Sequence, residues 1–295
     1  MKQLRGNRAE TAAYLAEAFA GLYAGAPTPS PLLEGGRTAG LQRLRVFNVE
    51  RYDRDRNDVG TKAGASLMAP YLRHGCVTLG EAKADAVGKI GADAATKWIQ
   101  ELGWRQFWQL QYERDGSRIF EPMEQPKVPL SEGDENTPVP DDVLAANTGL
   151  NCMDISLRSL YETGYMFNHA RMWFAAWYVH FRKEPWQAGA KLLYRYLLCG
   201  DPASNTLSWQ WVASTFSHKP YFFNRGNVEK YSRDPDGSTY CTTCPAAYSN
   251  TCPFDASYET LGRRLFGDYY QGDSRNGGNT GKRGDMASRR SSFRR

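Results

Sequence analysis

The sequence predicts an all-α fold, and two observations lead to this prediction. Apolar residues recur three and four positions apart over long stretches, as in Leu157, Leu160 and Tyr161, which is the pattern of a helix with one buried face. Hardly any stretch alternates apolar and polar residues with a period of two, the pattern of a half-buried strand. With 295 residues, of which 13% are aromatic, the chain can bury a large core.

The helix boundaries follow from local signals along the chain. A helix is predicted over 38–49, and Thr78 with Glu81 three positions later forms a capping-box pattern at the start of another. A longer helix is predicted over 93–112. Residues 115–148 are rich in Pro, Asp, Glu and Gly, which predicts a long surface loop.

The two ends of the chain differ from the middle. Residues 1–35 contain one short helical pattern and a linker rich in Gly and Pro. Residues 271–295 carry seven Lys and Arg against two Asp, a net charge of +5 that equals the formal net charge of the whole chain. We expect this Gly/Ser/Arg/Asn tail to be disordered and available to a polyanion such as DNA, the alternative being a solubilising tail.

The composition also bears on where the protein works. The chain has no run of eighteen apolar residues and no hydrophobic signal segment at its N-terminus, so we expect a cytoplasmic protein without a membrane partner. Its six cysteines are unevenly spaced. In a reducing compartment this pattern favours buried thiols or metal ligands over a disulfide framework.

Residues 151–222 hold the densest set of candidate binding groups. Asn168, Arg171 and Met172 are three and four positions apart, so they share one helix face. A tight turn ending in Asn205 is predicted to lead into Trp209. Amide, guanidinium and indole groups among apolar residues indicate a buried site for a large, flat ligand with polar edges.

A second set lies on the helix predicted over 93–112. Glu101, Trp104, Arg105 and Trp108 fall on one face of it. These residues fit a binding surface. The alternative is an ion pair between Glu101 and Arg105 that borders core tryptophans.

Several segments in the same order resemble one known family. The runs GYMFNHARM, GDPASNTLSWQWVAST and KPYFFN resemble the FAD-binding, all-helical catalytic domain of the photolyase and cryptochrome family, and the resemblance extends over residues 36–270. It implies a photolyase-type helical fold. Family members normally begin with an α/β antenna domain, whereas only residues 1–35 precede the matching region here, so we expect a short, free-standing catalytic domain.

The resemblance implies FAD as the cofactor. Asn205 matches the residue beside flavin N5, where an amide can tune the reduced flavin without adding charge. In family members the positions of Ala65 and Ala69 carry hydroxyls that usually meet the FAD phosphates. The position of Cys199 usually carries an acid that pairs with the arginine matched by Arg171. We therefore expect either weaker FAD binding or a pairing of Arg171 with Asp201. The positions that match FAD-holding residues are Tyr52, Ser66, Arg105, Asn168, Arg171, Asp201 and Asn205.

The resemblance also implies a pocket for damaged DNA. A flipped-out base needs a flat surface to stack on and a polar group that reads its edge, which indoles and a carboxyl group provide. Relatives that act on (6-4) photoproducts place histidines where this chain has Asn168 and Met172, so the sequence favours cyclobutane dimers. The positions that match the lesion pocket are Glu101, Trp104, Met172, Trp211 and Arg56.

Electron transfer to the flavin uses a relay of tryptophans in this family. Trp209 and Trp186 match its proximal and middle members, and no Trp occurs where the distal member would fall. Trp173, Trp177 or Tyr178 could replace it. The alternative is that these aromatic residues only fill the core.

Cysteines near the C-terminus form a further constellation. Cys241 and Cys244 make a C-x-x-C pattern with Cys252 eight positions later, which favours a soft metal or an iron–sulfur cluster. The spacing leaves Cys76, Cys152 and Cys199 open as the fourth ligand. The iron–sulfur bacterial branch of the family carries a cysteine that matches Cys152, which implies a [4Fe–4S] cluster, with Zn²⁺ as the alternative. That branch usually acts on (6-4) lesions, in conflict with the predicted pocket.

The resemblance implies a light-driven lyase of DNA, a deoxyribodipyrimidine photo-lyase that breaks the carbon–carbon bonds of cyclobutane dimers. The alternatives are a cryptochrome-like blue-light receptor, a (6-4) photolyase, and a DNA-binding helical domain with a cluster but no flavin. We expect a monomer. A separate protein could supply an antenna chromophore, and the sequence leaves this open.

Overall fold

The computed structural model describes residues 7–22, 30–60 and 64–270, and within these ranges it contains helices, turns and loops but no strand. The predicted all-α class is confirmed. The tail predicted over 271–295 lies outside the described residues. The α-helices are α1 Arg8–Ala18, α2 Arg37–Val46, α3 Tyr52–Asp55, α4 Ala69–Arg73, α5 Leu79–Ala94, α6 Thr96–Asp115, α7 Asp141–Leu144, α8 Asn151–Thr163, α9 Asn168–Ala176, α10 Trp186–Tyr196, α11 Pro202–Ala213, α12 Arg225–Tyr231, α13 Pro245–Tyr248 and α14 Tyr258–Phe266.

Local capping explains where α5 begins. The Thr78 hydroxyl accepts a hydrogen bond from the Glu81 amide at 3.1 Å, and the Glu81 carboxylate accepts one from the Thr78 amide at 2.8 Å. This is the capping box predicted from the sequence, and it satisfies two backbone donors that a helix start leaves free.

The start of α11 differs from the prediction. Asp201 caps the helix by accepting from the Ser204 amide at 3.0 Å, and Pro202 occupies the first helical position. Proline suits that position because its ring fixes a helical φ and its missing N–H would have no partner there. Asn205 therefore lies in the first turn of α11, and the prediction that a turn ends at Asn205 was wrong.

The core consists of two clusters of buried side chains. The larger one is formed mainly by α8 to α11 and includes Trp173, Phe174 and Trp209, which are almost completely buried. The smaller one joins α2, α4, α5 and α6 around Tyr71 and Trp98. Because burying each large apolar side chain contributes about 1.5–3 kcal/mol, these clusters hold the helices that surround the site.

Much of the segment between α6 and α8 is loop, as predicted, but it also contains a 3₁₀ turn, Gly116–Phe120, and the one-turn helix α7. It does not lie wholly on the surface, since Ile119 and Val143 are buried. Its first part is held by the buried amide of Gln210. The Gln210 Nε2 donates to the carbonyls of Ile119 at 2.7 Å and Glu121 at 2.9 Å. The Oε1 accepts from the Met123 amide at 2.8 Å and the Thr215 hydroxyl at 3.0 Å. All hydrogen-bonding positions of this amide are thereby used.

In the part of the chain that the structure describes, no helix combines the length and apolar character required to span a bilayer.

Candidate functional site

A cavity of about 740 Å³ lies among α6, α9, α10 and α11. It brings together most of the residues that the sequence predicted for the FAD and lesion sites, although they come from three separate parts of the chain. The predicted residues in its lining are Arg56, Glu101, Trp104, Arg105, Asn168, Arg171, Met172, Asp201, Asn205, Trp209 and Trp211.

Arg171 is fixed in the cavity wall. Its Nε donates to the Met166 carbonyl at 2.7 Å, its Nη2 donates to the Cys199 sulfur at 3.3 Å, and the guanidinium lies 5.5 Å from the ring centroid of Tyr165. Burial opposes the charged form, but the neighbouring Cys199 and Tyr165 outweigh it and raise the pKa of Arg171. Arg171 thus remains a cation whose position is set before any ligand binds.

Asp201 faces the same cavity but has other partners. Its carboxylate accepts from the Gln109 amide at 2.8 and 2.7 Å. Burial opposes ionisation, yet hydrogen bonds from Ser204 and Gln109 and the charge of Arg105 lower the pKa of Asp201. The expected alternative in which Arg171 turns to Asp201 is therefore wrong, because Arg171 binds Cys199 and Asp201 binds Gln109.

Arg105 is a second cation in the cavity wall. Burial lowers its pKa, with Asp201 and Cys199 acting in the opposite direction. An arginine stays protonated at neutral pH even so. Within the described residues its guanidinium has no hydrogen bond or ion pair, and the predicted Glu101–Arg105 ion pair is not formed, since Glu101 binds Lys97 and Arg56. Arg105 is thus available to an anionic ligand.

Two amides contribute neutral polar groups. The Asn205 Nδ2 donates to the Ala190 carbonyl at 2.8 Å, which fixes the plane of the amide. Asn168 begins α9, and its Nδ2 lies 3.9 Å from the Met172 sulfur. The helix face predicted from the spacing of Asn168, Arg171 and Met172 is confirmed, since these residues line the same cavity.

Two large indoles remain accessible where the cavity opens. Trp104 is 52% exposed and Trp211 is 40% exposed, although both line the cavity. Beside Trp104, the Glu101 carboxylate lies 2.7 Å from the Lys97 ammonium and 3.6 Å from the Arg56 guanidinium. Exposed indoles next to a carboxylate and two cations can bind a flat, polar-edged group that carries negative charge.

Trp209 points the other way, into the core. Its indole meets the rings of Phe174 and Tyr178 edge-on, with centroids 5.9 and 6.0 Å apart. Trp186 is also buried but does not line the cavity. Trp209 therefore links the cavity to buried aromatic residues, and Tyr178 is the relay candidate in ring contact with it.

Several cavity residues were not predicted from the sequence, and two of them are His169 and Phe107. His169 lines the cavity, and its Nε2 lies 3.1 Å from the Asn227 Oδ1. That oxygen accepts hydrogen bonds, so Nε2 carries the proton. Burial lowers the pKa of His169 to about 4. Phe107, which no motif marked, also lines the cavity. Its position three residues after Trp104 could have identified it, because residues three positions apart are neighbours on a helix surface.

Tyr52 and Ser66 lie outside the cavity lining. Tyr52 packs edge-on against Trp98, with ring centroids 4.9 Å apart, and burial raises its pKa. The Ser66 hydroxyl accepts from the Met68 amide at 3.2 Å. Tyr52 is therefore part of the neighbouring smaller core, and Ser66 makes a local hydrogen bond beside it.

The four predicted metal ligands lie in one neighbourhood. Burial, followed by the nearby thiols of Cys241, Cys244 and Cys252, raises the pKa of Cys152. Burial also raises the pKa of Cys241 to about 12. Within residues 7–22, 30–60 and 64–270, however, no group of three or more His, Cys, Asp or Glu side chains is arranged to hold a metal ion. The structure thus does not support the predicted cluster or zinc site.

Comparisons with known proteins place this geometry in a family. Residues 98–246 match the family described as the FAD binding domain of DNA photolyase. The chain is 31% identical over 220 residues to the deoxyribodipyrimidine photo-lyase of Thermus thermophilus, covering 70% of this chain and 50% of that protein. The chain belongs to the DNA photolyase family. It is also 28% identical over 223 residues to a cryptochrome DASH of Natronomonas pharaonis, covering 71% of this chain and 46% of that protein.

Solved photolyase-family structures share the fold. A Synechocystis cryptochrome matches with a TM-score of 0.60 and 24% identity, covering 69% of this chain and 44% of that one. A class III photolyase of Agrobacterium tumefaciens matches with a TM-score of 0.59 and 21% identity, covering 91% and 55%. The chain spans about half the length of the curated relatives it matches.

The cavity of this photolyase-family chain fits FAD by its own chemistry. FAD combines a flat ring system with polar edges and a negatively charged diphosphate. The Arg105 guanidinium faces the cavity and makes no ion pair or hydrogen bond among the described residues, which suits a phosphate. Asn205 and Arg171 are already held in place by other hydrogen bonds and offer polar groups to a ring edge. An FAD-binding domain is therefore supported by both the family and the residues present.

Proposed function

We propose that this protein repairs cyclobutane pyrimidine dimers in DNA with light, using FAD held in the cavity. The observation that carries the proposal is that Trp104 and Trp211 line the cavity and yet remain half-exposed. A buried FAD site that merely senses light has no need for accessible indoles beside it. A flipped-out base does need such surfaces.

The residues divide into two groups by position. Arg105, Arg171, Asp201, Asn168 and Asn205 would hold FAD, and bound reduced FAD would supply a photoexcited electron that splits the dimer and returns. The proposal rests on these five residues and not on Tyr52 or Ser66, which lie outside the cavity lining.

The second group would hold the lesion. Trp104 and Trp211 would stack on the dimer, Met172 would pack beside it, and Glu101 would accept hydrogen bonds from its base edge. Arg56 ion-pairs with Glu101 and would bind a phosphate or base of the damaged strand. Their task is to bind, to orient and to exclude water, because splitting a cyclobutane ring requires no proton from the protein.

A second candidate function is repair of (6-4) photoproducts, which requires proton transfer. It is favoured by the imidazole of His169 in the cavity wall. The low pKa of His169 weighs against it, since an imidazole with a pKa of about 4 carries almost no transferable proton at neutral pH.

The test is repair under illumination. Reduced, FAD-loaded protein is mixed with an oligonucleotide that carries one cyclobutane dimer or one (6-4) photoproduct, and the bases are analysed by chromatography after light and in darkness. We expect light-dependent loss of the dimer alone. Loss of the (6-4) product would favour the second candidate, and persistence of both lesions would favour a photoreceptor. Trp104→Ala should weaken dimer binding and retain FAD.

We propose that Trp209 and Trp186 carry electrons towards FAD during photoreduction, with Tyr178 as a branch from Trp209. Their burial in the aromatic core suits short electron steps. Trp209→Phe should slow photoreduction of bound FAD, followed by its absorbance, without lowering FAD content. An unchanged rate would assign Trp209 to the core only.

We keep a [4Fe–4S] cluster on Cys152, Cys241, Cys244 and Cys252 as a separate hypothesis, with Zn²⁺ as its rival. The hypothesis rests on the donor set, because four thiols in one neighbourhood could bind a soft metal as thiolates, although no three of them are arranged for this among the described residues. Iron, acid-labile sulfide and zinc are measured in protein purified without oxygen. Absence of all three would end the hypothesis.

A further inference from the structure

The outer face of α6 is unusual for a surface helix. Between positions 100 and 110 its exposed residues carry no charge, whereas Glu101 and Arg105 point to the cavity and are only partly exposed. Surface helices normally present charged side chains to water. The exposed large side chains on this face are Trp104, Phe107 and Leu110, at 52%, 42% and 54% exposure, and we call them the α6 ridge.

The ridge is continuous with the lesion pocket. Trp104 and Phe107 both line the cavity, and Leu110 follows three positions further along the helix. The rings of Trp104 and Phe107 also pack against the ring of Trp108. Trp108 stacks on Trp104 with centroids 5.5 Å apart and lies 5.9 Å from the centroid of Phe216. The ridge is thus an apolar surface, with its two rings packed on Trp108, that begins at the pocket and leads away from it.

The two aromatic rings of the ridge stand at right angles. The planes of Trp104 and Phe107 make an angle of 85° with centroids 5.7 Å apart. Two bases that stacked on these two rings would be perpendicular to each other. Such bases cannot remain stacked as in a duplex, so the geometry selects a strand that is already kinked or free.

We propose that the α6 ridge binds the base next to the lesion, and that the protein therefore prefers dimers in single-stranded or locally unpaired DNA to dimers in intact duplex. This inference rests on the proposed repair function. Uncharged aromatic surfaces bind single strands by stacking, whereas duplex binding depends on a basic surface along the phosphates. Gln106, exposed beside Phe107, adds an amide that can bind a base edge.

The test is a double-mutant cycle on full-length, FAD-loaded protein. Fluorescence anisotropy measures binding of a labelled single strand with one cyclobutane dimer, with the base on its 5′ or its 3′ side replaced by an abasic site. We expect Phe107→Ala to weaken binding of the intact strand about tenfold. Removing the flanking base on one side should weaken wild-type binding by the same factor as the Phe107→Ala substitution does. The same removal should leave the affinity of the Phe107→Ala protein unchanged. The wild-type protein should also bind the single strand more tightly than the paired duplex.

Controls separate stacking from structure. Phe120→Ala removes another exposed phenylalanine, 45% exposed and outside the cavity lining, and should bind every strand as the wild type does. The inference would be overturned if Phe107→Ala lost the same affinity for the intact and the abasic strands. It would also be overturned if Phe107→Ala bound the intact strand with full affinity. A dimeric wild type that becomes monomeric on Phe107→Ala in light scattering would instead assign the ridge to a second copy. A wild type that binds damaged and undamaged strands equally would overturn the repair function and the inference together, whereas full affinity of Phe107→Ala for the dimer would overturn only the inference.

Discussion

The guanidinium of Arg171 donates to the sulfur of Cys199 at 3.3 Å, in the wall of the cavity that fits FAD. A thiol is a weak acceptor, and it stands where the family resemblance would place a carboxylate. Arg171 consequently keeps a fixed position without a full counter-charge from this neighbour.

Restoring the carboxylate should strengthen cofactor binding. Cys199→Asp would pair with Arg171 and hold it in one orientation, and a hydrogen bond to a charged group contributes about 1.5–3 kcal/mol. We expect FAD to bind the apoprotein on the order of tenfold more tightly, measured by quenching of flavin fluorescence. Cys199→Asn has the same shape without the charge and should gain much less. Equal affinity of both variants would show that charge at this position does not matter.

Gly189 gives Trp209 its room. A Cβ at Gly189 would lie 2.4 Å from the indole, so Gly189→Ala must displace Trp209 and should destabilise the fold by about 1–3 kcal/mol. Gly88 lies in a helix with open space around it, and Gly88→Ala should be neutral or stabilising by up to about 1 kcal/mol. Urea unfolding with near-ultraviolet circular dichroism measures both effects. A stable Gly189→Ala protein with an unchanged aromatic spectrum would contradict the packing described for Trp209.

Gln210 should be costly to replace. Gln210→Met would leave two carbonyls, one amide and one hydroxyl without their present partner, and we expect a loss of about 3–5 kcal/mol in the free energy of unfolding. Gln106→Met makes the same change at an exposed helical position and should change stability by less than about 0.5 kcal/mol. Chemical denaturation compares them. Similar stabilities would mean that water replaces the hydrogen bonds of Gln210.

Acid should destabilise the protein through two buried imidazoles. Burial lowers the pKa of both His169 and His180 to about 4, below the usual value near 6.5 of an unfolded chain. Between these values the unfolded state binds more protons, so stability is full above pH 6.5 and falls as the pH approaches 4. Each histidine should cost on the order of 2 kcal/mol between pH 7 and 5. Denaturation at several pH values should give a flatter profile for His180→Gln than for the wild type, and an unchanged profile would contradict this role of the buried imidazole.

The parts of the fold that depend on local chemistry were predictable. The α5 capping box involves residues three positions apart, and the shared face of Asn168, Arg171 and Met172 follows from helix geometry. The partners of Gln210 in the loop after α6 could not be predicted, because they lie about ninety positions away in a segment without a pattern. For the same reason the binding of Arg171 to Cys199 had to come from the tertiary structure. The spacing of the C-terminal cysteines predicted a metal site, and the structure brings the thiols into one neighbourhood without arranging three of them to hold a metal ion among the described residues.

The saturated amide of Gln210 has a consequence for its two neighbours. Successive residues in an α-helix are about 100° apart, so Trp209 and Trp211 point in nearly opposite directions around the axis of α11. Only one rotational setting of that helix turns the first indole inward and the second outward. The hydrogen bonds between Gln210 and the loop after α6 hold the helix in that rotational setting. A side chain that touches neither cofactor nor DNA in our proposal therefore decides which tryptophan faces the core and which faces the solvent.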